Sequence, residues 1–194
     1  MRVVAKFGGT SLGSGDRIER AADTVAKAVE EGHEVAIVAS AMGSTTDELL
    51  EEITFDADDS DRAEIVSMGE RTSVRMLKAA LGSRGVNATF VEPGSEAWPI
   101  ITDEYGEVDA EATLQRAQAL ADNLDTVVPV ITGFLAQTID GKVTTLGRGG
   151  SDTTAVMLGK FMDADEVVIV TDVEGVMTGD PRVVEGARNV GHIT

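Results

Sequence analysis

The chain has no cysteine. Disulfides and thiolate metal sites are therefore excluded, and a reducing compartment, the cytoplasm, is the default expectation. It has only two histidines, His33 and His192, neither near a candidate nucleophile in sequence, which argues against a histidine triad. No apolar run approaches the roughly 20 residues of a membrane span, and the N-terminus lacks a long apolar leader segment. The phosphate-binding pattern G-x-x-x-x-G-K-[ST] is missing, as are a G-x-G-x-x-G after the first strand and the protein-kinase motif set. Lysine is scarce: 5 of the 16 basic residues, the other 11 being arginine. Against these stand 34 acidic residues, for a net charge of −18. Such a balance excludes nucleic-acid binding by phosphate neutralisation. An acidic surface short of lysine also suggests a salt-loving source, where screening offsets self-repulsion.

What is present is a globular composition, 42% hydrophobic with 21 glycines over 194 residues. A chain of this length can bury about 70% of its unfolded surface. Apolar strands and amphipathic helices alternate along it. Val3-Val4-Ala5 reads as a first buried strand. Ile18, Ala21, Ala22, Val25, Ala28 and Val29 recur at helical spacing, from a start near Asp16 to a stop at Gly32. Residues 35–39 form a second strand, and Thr45 with Glu48 fits a capping box. Asp56 to Asp61 reads as an exposed acidic loop. A long helix follows, with Ile65, Met68, Thr72, Met76, Leu77 and Ala80 on its inner side, ended by Gly82 and Gly85. Strands are expected at 88–91 and 99–101, with Trp98 in a packing role. Asp109 caps a helix reaching about Leu124. Pro129 assigns the strand at 126–134 an irregular or edge position. Asp140-Gly141 marks a hairpin, a helix opens after Gly147–Asp152, and 166–170 is a last strand. This alternation predicts an α/β fold with a mostly parallel sheet covered on both faces.

On such sheets ligands collect at the carboxyl ends of strands. Polar, Gly-rich turns follow three of the strands: Lys6–Ser11, Ser40–Thr46 and Thr171–Arg182. Lys6-Phe7-Gly8-Gly9-Thr10-Ser11 joins a cation, two glycines and two hydroxyls, a combination suited to an anion as well as to an ordinary strand-to-helix turn. Gly147-Arg148-Gly149-Gly150-Ser151-Asp152 sets a guanidinium and a carboxylate at a helix N-terminus, where free N–H groups favour anions. Arg148 suits bidentate capture of a carboxylate. Asp152 could cap that helix or orient Lys6 or a metal-bound phosphate. Thr171-Asp172 suits ribose or Mg²⁺-phosphate contacts. Glu70, in Ser67-Met68-Gly69-Glu70, could hold a substrate ammonium or stand solvated on its helix.

Taken together, these stretches, with Thr145 to Ala155 and Thr171 to Arg182, resemble the ordered signature blocks of aspartate kinases, of the amino-acid kinase superfamily. The resemblance implies a three-layer αβα sandwich. It implies transfer of a phosphoryl group from MgATP to the side-chain carboxylate of L-aspartate, with Mg²⁺ carried by the ATP phosphates. By position it implies that Lys6 meets the transferring group and that Asp152 organises Lys6. Gly8 and Gly9 would give backbone donors, and Thr171, Asp172, Met177 and Arg182 would contact the nucleotide. Met177 stands where the family usually carries an aromatic residue. Ser40, Thr46, Glu70, Arg148 and Ser151 would bind aspartate, Glu70 through the ammonium and Arg148 through the α-carboxylate. The family's further helices, its G-A-x-V-L-H-P block and its paired ACT domains have no counterpart in these residues. Residues 1–194 are therefore expected to be a C-terminally incomplete catalytic domain, in a protein that is a possible homo-oligomer. The alternatives are a nucleotide-binding piece that needs complementation, or another amino-acid kinase.

Overall fold

The computed structural model describes the chain apart from Glu104 and residues 172–174, 176–177, 180–182 and 192–194. Five strands form one sheet: β1 (Arg2–Phe7), β2 (Glu34–Ala39), β3 (Ala88–Val91), β5 (Val128–Thr132) and β8 (Glu166–Val170), in the order β3-β5-β2-β1-β8. Every pairing in it is parallel, with Phe7 opposite both Ala39 and Val170, and Ala39 opposite Thr132. All strand carboxyl ends therefore lie along one edge.

Strand side chains alternate between two cores, as the period of two requires. Ala5, Phe7, Val35, Ile37 and Val130 pack with Ile18, Ala22 and Val25 of α1 (Gly15–Glu30) and with Val74, Leu77 and Leu81 of α3 (Asp59–Gly82). Val4, Ala36, Val38 and Ile131 pack on the opposite face, against Ala117 and Ala121 of α4 (Ala110–Ala121) and Ala155 and Leu158 of α5 (Gly150–Phe161). The result is the three-layer αβα sandwich. A short helix, α2 (Thr45–Glu52), packs on α3. Trp98 belongs to the α4–α5 core, fully buried, its Nε1–H donating to the Ile100 carbonyl at 2.8 Å.

Several local expectations are corrected. The strands near 101 and 143 do not join the main sheet. With the strand that follows Phe134 they form a second one: β4 (Ile101–Thr102) is parallel to β6 (Leu135–Thr138), which is antiparallel to β7 (Val143–Thr145). The chain leaves the main sheet at Gly133-Phe134, where Phe134 takes φ +65°. Gly141 turns the β6–β7 hairpin at φ +92°, as the Asp-Gly signal predicts. Pro129 lies inside the sheet, between β3 and β2, not at an edge. The β2 ladder begins at Val130, so the missing proline N–H falls just before pairing starts. The Thr45–Glu48 capping box is not made: the N-cap is Ser44, whose hydroxyl donates to Glu48 at 2.5 Å. Within the acidic run, Asp58 is the N-cap of α3 and Asp59 and Asp61 lie in its first turn, so the segment is partly helical. Asp109 does cap α4, accepting from Glu111 N and Ala112 N.

Helix α3 is turned relative to its expected orientation. Met68, Thr72 and Met76 face solvent, while Ala63, Val66, Ser67, Glu70, Ser73 and Val74 face inward together with Leu77 and Leu81. Three of those eight inner residues are polar because the N-terminal half of α3 borders a cleft and only its C-terminal half covers the apolar core.

Candidate active site

The carboxyl edge of the sheet opens into a cleft of about 1090 Å³. One wall is α3 with the loop after β2. The opposite wall is the small sheet, and the N-terminus of α5 forms the floor beside β1. Lys6, Ser40, Thr46, Glu70, Arg148, Ser151 and Asp152 all line it. The convergence expected of separate turns is thus met for two strand ends and for the α5 entry.

Lys6, the penultimate residue of β1, shares a strand face with Val4 and so points toward α5. Its Nζ lies 2.7 Å from Asp152 Oδ1. The lysine is mostly buried and the aspartate half-exposed. The cap position of α5 belongs to Gly149, at φ +76°, which makes no side-chain cap bond. Asp152 thus pairs with the lysine and does not cap the helix. Arg148 stands exposed on the turn before α5, with no carboxylate partner within 4 Å among the described residues. Ser151 sits tightly against Gly133, where a Cβ would come within 2.6 Å of its Oγ. Only glycine lets the β5 exit and the α5 entry approach so closely.

Glu70 is the unusual group. Its side chain is buried, at 3% exposure. Oε1 accepts from the Ala41 N–H at 3.3 Å and the Thr46 hydroxyl at 3.5 Å, while Oε2 is buried with no partner. Burial pushes its carboxyl up to about 7, against a smaller downward pull from its own N–H, the Ala41 N–H and Thr46. Its placement depends on Gly69: a Cβ there would lie 2.8 Å from the Ala41 methyl, so only glycine seats α3 against the β2 loop. Thr46 thus meets Glu70 directly, and Ser40 is anchored by its N–H to the Phe7 carbonyl at 3.1 Å.

Several groups of the first turn already have partners within the fold. The Gly8 N–H already donates to the Val170 carbonyl at 3.2 Å, and the Ser11 hydroxyl donates to the same oxygen at 3.3 Å. In this structure both groups tie β1 to β8. Gly9 accepts from the Gly43 N–H at 3.0 Å, joining the loops after β1 and β2. Gly8, Gly9 and Thr171 are not in the cleft wall. They lie beside it, at the ends of β1 and β8. Asp172, Met177 and Arg182 fall outside the described residues.

Phe134, Thr102, Thr144, Thr145 and Arg62 also line the cleft, and the sequence reading missed them as site residues. The hairpin signal located the turn at Asp140-Gly141, but its strands could not be assigned to a cleft wall without knowing that a second sheet exists. No cluster of three or more histidine or acidic side chains among the described residues could hold a metal ion. No helix among them is long and apolar enough to cross a membrane.

Comparison with known proteins agrees with this fold. The chain is 39% identical to aspartokinase 2 of Bacillus subtilis and 41% identical to the aspartate kinase of Pseudomonas putida, in each case over 99% of this chain and 47% of the relative. It spans about half the length of the curated relatives it matches. The solved structure of Escherichia coli aspartokinase III in complex with aspartate and ADP superposes with a TM-score of 0.84 at 28% identity, over 98% of this chain and 53% of that one. An isopentenyl phosphate kinase shares the fold alone, with a TM-score of 0.64 at 20% identity. The model of the amino acid kinase family matches residues 1–194, the whole chain. The chain belongs to the amino acid kinase family.

Proposed function

We propose that residues 1–194 form the catalytic domain of an aspartate kinase, which transfers the γ-phosphoryl group of MgATP to the side-chain carboxylate of L-aspartate. The observation that carries the reading is the convergence of a buried carboxylate with an unpaired oxygen, an unpaired guanidinium and an oriented lysine in one cleft. An amino acid needs the first two for its ammonium and α-carboxylate. A phosphoryl acceptor that is itself an anion needs the third. The E. coli relative solved with aspartate and ADP supports both substrate assignments.

In this reading Glu70 receives the ammonium and Arg148 the α-carboxylate, with Ser40, Thr46 and Ser151 fixing the rest of the amino acid. One oxygen of the side-chain carboxylate forms a bond to the γ-phosphorus, the bond from phosphorus to the bridging β-γ oxygen breaks, and ADP leaves with that oxygen. The attacking group is already ionised at neutral pH, so no general base is required. The barrier lies in bringing two anions together, which makes alignment and charge neutralisation the main tasks. Lys6, held by Asp152, supplies a fixed positive charge at the transferring group. Gly8, Gly9, Thr171, Asp172, Met177 and Arg182 belong to the nucleotide side. Mg²⁺ would be carried by the ATP phosphates and would offset their charge.

The test is L-aspartate-dependent release of ADP, with the aspartyl phosphate trapped as its hydroxamate. Lys6→Ala should remove turnover while aspartate still raises the melting temperature. A signal with glutamate but not aspartate would overturn the substrate assignment.

A further inference from the structure

Besides Glu70 Oε2, two buried side-chain oxygens on the α3 side of the sheet have no hydrogen-bond partner: Ser73 Oγ and Thr132 Oγ1. Both residues are fully buried. They come to the same level of the molecule as Glu70. Ser73 lies one turn beyond it on the inner face of α3. Thr132 ends β5, two residues past Val130, which packs with Val74 and Leu77 of α3, so Thr132 faces α3 as well. The lengths agree. The end of α3 is tied to the start of β5, since Leu81 O accepts from Val86 N and Asn87 O accepts from Val128 N. From Leu81 back to Ser73 is about 12 Å of helix. From Val128 forward to Thr132 is about 13 Å of strand.

Buried hydroxyls without partners are uncommon in native proteins, and each ordinarily has a reason. Here two donors and an acceptor lie on packed elements, α3 and β5, and none reaches another within direct hydrogen-bond distance. One water molecule between the three would satisfy them all. We propose that Ser73 and Thr132 are positioning residues for Glu70, whose hydroxyls serve Oε2 through one bridging water and let the carboxylate carry its charge beneath the substrate ammonium. The proposal rests on the assignment of Glu70 to the aspartate ammonium. The charged groups that share the cleft with Glu70 are Lys6 from β1, Asp47 from α2, Asp59 and Arg62 from α3, Arg148 and Asp152 from the α5 entry, and Asp103, Asp140 and Lys142 from the small-sheet wall. None of them forms an ion pair with it. Its ionisation is therefore set by hydrogen bonds: the Ala41 N–H and the Thr46 hydroxyl act directly on Oε1, and the Ser73 and Thr132 hydroxyls are the donors left for Oε2.

The test follows the Glu70 carboxyl directly, by ¹³C NMR of the ligand-free protein labelled at glutamate, with the signal assigned by its loss in Glu70→Gln. Thr132→Val keeps the shape and removes the hydroxyl. It should raise the ionisation midpoint by about one pH unit, the size expected for a hydrogen bond to a charged group. Ser73→Ala should do the same, and Thr132→Ser should stay at the wild-type value. The KM for aspartate in Thr132→Val should rise about fivefold at pH 7 and converge on wild type near pH 9, with the KM for ATP unchanged. Midpoints that stay at the wild-type value in both hydroxyl deletions would overturn the proposal, and a loss of stability alone would mark the hydroxyls as merely structural. A shifted midpoint with an unchanged aspartate KM would uphold the coupling and overturn the assignment of Glu70 to the ammonium.

Discussion

Glu70 and Glu92 are two glutamates buried to nearly the same degree, at 3% and 8% exposure, and they are treated in opposite ways. Glu92 follows β3 and is gripped by α3. Arg75 makes a bidentate pair with it at 2.5 and 2.8 Å, and Arg71 adds a third bond at 3.0 Å. Arg75 also lies 4.5 Å over the Phe90 ring. Burial alone would raise the Glu92 carboxyl, but the Arg75 and Arg71 guanidiniums together hold it below the usual range. Glu70 precedes Arg71 by one residue, yet it faces the cleft with one oxygen unpaired and its carboxyl pushed up to about 7. A charge that serves the fold is neutralised within the fold. In the proposed function the Glu70 charge is left for a ligand to neutralise. Removing the first should cost stability, and removing the second should cost binding.

The largest expected effect is on catalysis. Glu70→Gln should lower kcat/KM for aspartate by about 10²- to 10³-fold, the loss typical of a buried charged contact, with little change in the KM for ATP. Steady-state kinetics with each substrate varied in turn would check this, and an equal loss for both substrates would break the comparison. Next comes Glu92→Ala, which takes the carboxylate from Arg75 and leaves Arg71 only Glu64 at 3.6 Å; with Arg75 half-exposed, the cost in urea unfolding should be about 3 kcal/mol, the low end for a buried pair. Arg71→Ala should cost less, because Arg75 still pairs with Glu92.

A pH effect of similar origin separates the two residues further. The Glu70 carboxyl is raised in the folded state, so the folded protein binds its proton more tightly than the unfolded chain does. The associated stability is fully present below about pH 4.5 and is lost as pH rises through about 7. The loss amounts to about 3 kcal/mol, taking 1.36 kcal/mol per pH unit. Glu92 is lowered instead, so its contribution is present above its unfolded value and is lost as pH falls through the folded one. Urea unfolding from pH 4 to pH 8 should therefore show a decline in wild type that Glu70→Gln flattens. Smallest of all is salt: if the net charge of −18 marks a salt-loving source, added KCl should raise the melting temperature of wild type and both variants alike.

Backbone chemistry made much of this site legible before any coordinates. A lysine ending a strand before two glycines, and Gly-Arg-Gly-Gly-Ser-Asp opening a helix, are restricted in the conformations they can take, and strand–helix alternation puts their ends on one edge. The inner face of α3 was not legible in the same way. Hydrophobic periodicity chose Met68, Thr72 and Met76, whereas the helix turns Ser67, Glu70 and Ser73 inward because a cleft, not a core, lies beside them. The depth of Glu70 depends on Gly69 meeting Ala41, a contact between segments about 30 residues apart that no local pattern encodes. The second sheet was missed for a related reason: strand content is local, whereas sheet membership turns on the exit at Gly133-Phe134. Pro129 reads as an edge residue only until the point at which its ladder begins is known.

The proposed function has Glu70 waiting for an ammonium, and proton release on binding tests this most directly. Burial pushes the Glu70 carboxyl up to about 7, so near neutral pH a substantial share of the ligand-free protein should hold its proton. An ammonium seated against Oε2 would drive that proton off. Calorimetric titration of aspartate at pH 7, in two buffers of different ionisation enthalpy, should show release of a fraction of a proton per aspartate bound, absent in Glu70→Gln. Binding of aspartate with no proton release, or with proton uptake, would contradict the account.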